Sequence, residues 1–123
     1  MKHSQEIEIV VRAKTNLSLQ EQTRLRSLTL KNGLMEDYFD EYNNCIIILA
    51  IEDDVILGWA INFMPEDEED YETHLYVSKY RRREGIGTMI MDKVLEIFGS
   101  TNVSKWDSRA ESFYNNFENI EEL

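Results

Sequence analysis

The chain is read as an α/β (α+β) protein: a central twisted mixed sheet with helices on both faces. Three observations predict this. Strand-like runs of period two recur along the 123 residues, helical stripes recur between them, and the two kinds interleave rather than segregate. No internal repeat and no Gly/Ser/Pro linker interrupts the chain, so residues 1–123 are taken as one domain, long enough to bury a core.

Taken in order, Glu6 to Arg12 alternates, with Ile7, Ile9 and Val11 on one face, which predicts a strand. Ser18-Leu19-Gln20-Glu21 is a capping box, in which serine accepts from the new helix's amides while glutamate reaches back. The helix should run to Asn32-Gly33, where glycine takes a left-handed cap, and a short second helix is expected through Met35 to Asp40. Cys45 to Ile51 is continuously apolar, the pattern of a strand covered on both faces. Glu52-Asp53-Asp54 then turns the chain into Val55 to Met64, the second strand of a hairpin. Residues 72 to 78 make another strand with Leu75 and Val77 on one face. Ile86, Met89, Ile90, Val94 and Ile97 recur at helical spacing, and Gly99 is placed to stop that helix. Val103 to Trp106 reads as a short strand, and Asp107 or Ser108 caps a last helix carrying Ala110, Phe113, Tyr114 and Phe117 on one stripe.

Composition narrows the function. Lys+Arg 13 against Asp+Glu 24 leaves a net charge of −11, so nucleic-acid phosphates would be repelled and no nucleic-acid partner is expected. A hydrophobic share of 42% argues against disorder despite that charge. The single cysteine, Cys45, cannot make an internal disulfide and sits beside Ile46-Ile47-Ile48, so a buried, inert thiol in a reducing compartment is expected. The opening MKHSQEIEIV carries no apolar signal segment, and no run approaches the roughly 20 apolar residues of a membrane span. A cytoplasmic protein without a membrane partner is the expectation. His3 and His74 are far apart and no pair has metal-ligand spacing, so no metal is expected.

Positive charge is nonetheless concentrated at "RRREGIG", residues 81 to 87, between a predicted strand and a predicted helix. The first amides of a helix lack internal partners and carry the positive end of its dipole. Gly85 and Gly87 would let those amides close around a phosphate with no Cβ in the way, while Arg82 and Arg83 add charge and Thr88 a hydroxyl. A tight turn with solvated arginines is the plainer alternative. Other phosphate loops do not fit. Thr88-Met89 follows the second glycine where a P-loop needs Lys-Ser/Thr, and Ile90 stands where the dinucleotide fingerprint needs a third glycine.

The stretch "LYVSKYRRREGIGTMIMDKVLEIF" resembles motif A of the GNAT superfamily, the acyl-CoA-dependent N-acetyltransferases, through Arg82-Arg83-Glu84-Gly85-Ile86-Gly87 preceded by Leu75-Tyr76-Val77. "DSRAESFY" is similar to that family's tyrosine helix, with Ala110 and Tyr114 on the matching positions. The predicted order of elements resembles the family from its first strand to its fourth helix, with the sheet truncated at the C-terminus. The resemblance implies acetyl-CoA as acyl donor. It implies that the amides of Tyr76 and Val77 pair with the pantetheine arm and that those of Arg82, Arg83, Glu84, Gly85, Ile86, Gly87 and Thr88 hold the pyrophosphate. Tyr114 would protonate the departing thiolate, a phenol's ordinary value of about 10 lying near that of a thiol; from the residues alone it reads as a core aromatic.

The acceptor amine must lose a proton, and Glu72, His74 and Asp70 are the candidates beside or on the fourth strand, with Glu72 preferred. "EDEED", residues 66 to 70, is either a solvated loop or a collar that attracts a cationic acceptor. The reading from sequence is therefore an N-acetyltransferase acting on a primary amine of a small cationic molecule or a peptide or protein. A catalytically inactive GNAT scaffold, an acidic interaction or inhibitor protein, is the alternative. A sheet ending near Val103 to Trp106 would expose an edge and the apolar side of Phe113, Phe117 and Ile120, so a homodimer through the C-terminal part is expected.

Overall fold

In the computed structural model, residues 6–32, 44–65, 70–78, 81, 84–105 and 107–122 are described, with the backbone alone over 26–32. The continuous apolar run forms β2 (Ile46–Glu52), in which Ile47, Ile48, Leu49 and Ala50 are each 0% exposed. Such burial on alternating sides needs cover on both faces of the sheet. β1 (Glu8–Ala13) pairs antiparallel with β2, and β3 (Val55–Phe63) pairs with its other side. The connecting Asp53 and Asp54 have φ of 50° and 65°, a two-residue turn whose twist matches the strands it joins.

β4 (Glu72–Val77) continues the antiparallel half, in register with β3 along its whole length. From there the chain changes mode. α2 (Ile86–Phe98) leads to β5 (Thr101–Val103), parallel to β4, and α3 (Ser108–Tyr114) leads to β6 (Ile120–Glu122), parallel to β5. The sheet order is β1-β2-β3-β4-β5-β6 among the described residues. α1 (Leu19–Asn32) begins at the capping box: the Ser18 amide donates to Glu21 Oε1 and the Glu21 amide to Ser18 Oγ, each at 3.0 Å. No described helix is long and apolar enough to cross a membrane.

Two apolar cores result. Leu17 and Leu25 pack with Ile47, Leu49, Trp59, Ile61 and Phe63 on the α1 face, while α2 and α3 pack on Ile48, Ala50, Leu57 and Ala60 on the other. Leu57 joins the second group because the β2–β3 register shifts between Ala50 and Ile51, which turns an odd-numbered residue to the even-numbered face. Cys45 is buried among the α1-face residues, and burial pushes its thiol up, which keeps it protonated and inert.

A polar run crosses the second core. Asn62 donates from Nδ2 to the Ile46 carbonyl at 3.0 Å and accepts through Oδ1 from the Thr73 hydroxyl at 2.7 Å. Thr73 and Thr101 hydroxyls lie 2.6 Å apart, and Thr101 Oγ1 is 3.1 Å from the Tyr71 carbonyl it donates to. All three side chains are buried. β4 and β5 share one register pair, Glu72 with Asn102, and it lies beside this run.

Several expectations are corrected. Val10, not Val11, is the buried residue of β1, because α1 also covers that strand; Val11 is exposed. On α2 the buried set is Ile86, Ile90, Met91 and Val94, so the stripe is rotated toward Met91 and leaves Ile97 exposed. β5 starts two residues earlier than expected, since Thr101 bonds to Tyr71. The sheet does not end there. Asn119, at φ 65°, turns the chain so that its carbonyl accepts from the Thr101 amide at 3.1 Å and β6 covers β5. The edge expected to seek a second copy is thus paired within the chain, and Phe113, Phe117 and Ile120 are half-buried against the α2-face core. Gly33, the Met35–Asp40 helix, Glu66 to Glu69 and Trp106 lie outside the described residues.

Thr73→Val keeps the shape of the side chain and removes the hydroxyl shared by Asn62 and Thr101. Urea unfolding should show a loss of about 1–3 kcal/mol, the cost of leaving buried polar groups unmatched; unchanged stability would count against the run as a structural element.

Candidate active site

After β4 the Ser78 amide donates to the Leu57 carbonyl at 2.7 Å, and the Arg81 amide to the Ser78 carbonyl at 2.9 Å. The chain re-enters regular structure at Gly85, the N-cap of α2, whose φ of 80° lies in the left-handed region. A side chain there is strained even though no atom lies within 4 Å of the place its Cβ would take. Gly85 also offers α2 no side-chain cap, so the helix's opening amides are not closed off by one.

Gly87 has a different reason. A Cβ on it would come 3.1 Å from Phe113 Cζ and 3.6 Å from Val77 Cγ2. The glycine lets the start of α2, the end of β4 and α3 meet at one place. Ile86 is buried beneath the loop, and Thr88 is exposed beside it.

Of the arginine triplet, Arg82 and Arg83 lie outside the described residues. Arg81 does not face an open anion site. Its Nη1 and Nη2 donate to the two carboxylate oxygens of Glu52 at 3.0 and 3.2 Å, and its Nε and Nη2 to those of Glu84 at 2.8 and 3.0 Å. These bonds hold Arg81 still more firmly protonated than usual, and the hydrogen bond from Arg81 holds the Glu84 carboxyl below the ordinary carboxylate range.

Along β4, alternation places Glu72, His74 and Tyr76 toward the α1 face, and Leu75 and Val77 toward α2 and α3. His74 Nε2 is 2.5 Å from Glu72 Oε2, with both side chains largely buried. The imidazole also stacks on Phe63, ring centroids 5.7 Å apart, and Tyr76 packs on Trp59 at 5.6 Å. Asp70 is exposed on the approach to the strand.

Tyr114 belongs to the opposite core. It is 8% exposed, its ring 5.1 Å from that of Phe113, and burial pushes its phenol up to about 12. The helix that carries it starts at Asp107, whose carboxylate accepts from the Ala110 amide at 2.7 Å.

The structure therefore gathers Val77, Gly85, Gly87, Thr88 and the Phe113–Tyr114 helix around the start of α2. It does not bring Glu72 to them: that side chain sits on the other face, five positions along the strand from Val77, about 16 Å. The His74–Glu72 bond, the Arg81 bridge and the Asn62–Thr73–Thr101 run are not evident from the motifs. Their signal in the sequence is weak but present, as polar residues inside otherwise apolar strands.

A family model described as "Acetyltransferase (GNAT) family" matches residues 16–118. Among solved structures, Escherichia coli ElaA aligns with a TM-score of 0.76 at 21% identity, covering 91% of this chain and 86% of that one. The GNAT family protein SP0256 of Streptococcus pneumoniae TIGR4 aligns with a TM-score of 0.71 at 20% identity, covering 92% and 88%. An aminoglycoside N-acetyltransferase, AAC(6')-Iy, solved in complex with CoA, aligns with a TM-score of 0.67 at 13% identity, covering 100% and 95%. At these identities the likeness is one of fold. A search of curated protein sequences returned no significant relative. With the match extending over most of its length, the chain belongs to the GNAT family of acetyltransferases.

Proposed function

We propose that this protein is an N-acetyltransferase that moves an acetyl group from acetyl-CoA to a primary amine of a small cationic molecule or a peptide or protein. The observation that carries this reading is the left-handed Gly85 at the start of α2, with no side-chain cap and open space where its Cβ would be. A pyrophosphate fits there because the opening amides and the positive end of the helix dipole are presented to it.

When bound, acetyl-CoA supplies a thioester whose acetyl carbon takes the amine nitrogen as the thiol departs. The chain's own groups hold and balance that exchange. Backbone amides of residues 82–88 hold the pyrophosphate, Arg82 and Arg83 add charge, and the Thr88 hydroxyl adds a donor. Glu84 and Ile86 serve through their amides, since one side chain is committed to Arg81 and the other to the core. Backbone groups of Tyr76 and Val77 align the pantetheine arm along β4.

Tyr114 Oη–H serves the departing sulfur. With the phenol at about 12, it stays protonated throughout the working range. Burial holds the phenol above a thiol's ordinary range, so full transfer to the thiolate is disfavoured and the role that fits is a hydrogen bond to sulfur as charge develops. The proton of the amine is assigned to Glu72, which is hydrogen-bonded to His74; both lie on the α1 face of β4, away from Val77, so water relays it to them. The net charge of −11 favours a cationic acceptor.

Titration calorimetry with acetyl-CoA should give saturable binding, and Gly85→Asp should abolish most of it by placing bulk and negative charge at the left-handed position. No binding by the wild type at millimolar concentration would refute the loop's assignment.

Tyr114→Phe should leave acetyl-CoA affinity nearly intact while lowering kcat by about 10²–10³-fold, the scale for losing one hydrogen-bond donor to developing charge, followed as thiol release against a panel of cationic amines. Equal turnover would return Tyr114 to a purely packing role.

The same tyrosine gives a stability signature. Its folded value of about 12 lies above the ordinary 10.0, so the unfolded chain releases this proton first as pH rises. Its contribution is complete below pH 10 and is lost toward pH 12. Urea melts across that window should fall less steeply in Tyr114→Phe than in the wild type.

A further inference from the structure

We propose that Arg81 is a positioning residue for the phosphate loop: by bridging Glu52 and Glu84 it ties the loop to the neighbouring hairpin and to the helix start and offsets one of the two negative charges that flank it. The inference rests on the acetyl-CoA reading above.

The geometry is specific. Glu52 closes β2 at the hairpin, and Glu84 stands immediately before the left-handed Gly85. Arg81 meets each carboxylate with two nitrogens, at 3.0 and 3.2 Å on Glu52 and at 2.8 and 3.0 Å on Glu84. Its own backbone is anchored by the Arg81–Ser78 and Ser78–Leu57 bonds. One side chain thus ties the residue before the helix N-cap to the neighbouring hairpin. A planar guanidinium can make both two-nitrogen contacts at once; an ammonium cannot.

Two consequences follow for an anion. Loop ends held before binding reduce the ordering cost of closing amides around it. The second consequence is electrostatic. Glu84 adjoins the amides that would face the pyrophosphate, in a chain already at −11, and a carboxylate there opposes a phosphate unless a cation is held beside it. Arg81 is held by acid residues, and in that position it makes the loop tolerable to phosphate without touching the ligand.

The test compares CoA with pantetheine, which lacks the phosphates, by calorimetry on the full chain. Arg81→Met should weaken CoA about tenfold, the scale of one surface charge at short range, and leave pantetheine affinity unchanged. Adding Glu52→Gln and Glu84→Gln to Arg81→Met should recover most of the loss, and the wild-type to Arg81→Met affinity ratio should shrink between about 0.1 M and about 1 M salt as screening grows. A role in packing alone predicts neither recovery nor salt dependence. Arg81→Lys, which keeps charge without the fork, should fall between the two and serves should Arg81→Met fail to fold. Equal CoA affinity in the wild type and in whichever of these variants folds would overturn the proposal. So would a loss shared by pantetheine or left unrepaired by the glutamines. A wild type that binds pantetheine and CoA equally, or neither, would instead overturn the acetyl-CoA loop reading, and the clamp with it.

Discussion

The sheet depends on one buried polar run, from the Ile46 carbonyl through Asn62, Thr73 and Thr101 to the Tyr71 carbonyl. In an apolar core an unmatched hydroxyl or amide costs about 1–3 kcal/mol, so these groups enforce one another's positions. The run crosses from the antiparallel strands to the parallel ones. Sliding β5 by one residue would turn the Thr101 hydroxyl to the opposite face and break two of its links. Register between β4 and β5 is therefore set at Glu72 and Asn102, and α2, α3 and β6 are hung from that point.

That anchoring divides the labour of the two faces. On one, α2 and α3 converge with the end of β4, and the missing side chain of Gly87 is what permits it, Phe113 taking the space. On the other, His74 and Glu72 are paired beneath Phe63, with Tyr76 against Trp59. β4 is shared, presenting alternate residues to each side.

Charge follows a similar economy. A chain with 24 acidic and 13 basic residues would ordinarily be a poor host for a pyrophosphate. Under the proposed function, backbone amides would answer part of that difficulty because their polarity is independent of composition. In the same proposal Arg81 would answer another part through its carboxylates, a use of an arginine that a motif reading, which looks for cations aimed at phosphate, does not anticipate.

Local chemistry was legible in the sequence. The capping box at Ser18 and Glu21, the turn at Asp53-Asp54, the helix stop at Gly99, the cap at Asp107 and the left-handed Gly85 before α2 all act over a few residues, where propensity and short hydrogen bonds decide the conformation. The continuous apolar run likewise gave β2 its burial on both faces, and helical spacing gave α2, though not the exact face it buries. What sequence did not decide is what depends on distant partners. Val10 is buried because α1 lies over it, and Met91 because of where α2 rests on the sheet. β6 exists because β5 offers it an edge, although three residues with two glutamates make a weak strand signal of their own. Arg81 meets Glu52 across 29 positions of sequence, and Thr73 meets Thr101 across 28. Spacing along the chain determined the elements; which side chains pair across them was settled when the sheet brought remote carboxylates and hydroxyls within hydrogen-bond reach, where burial makes an unmatched partner costly.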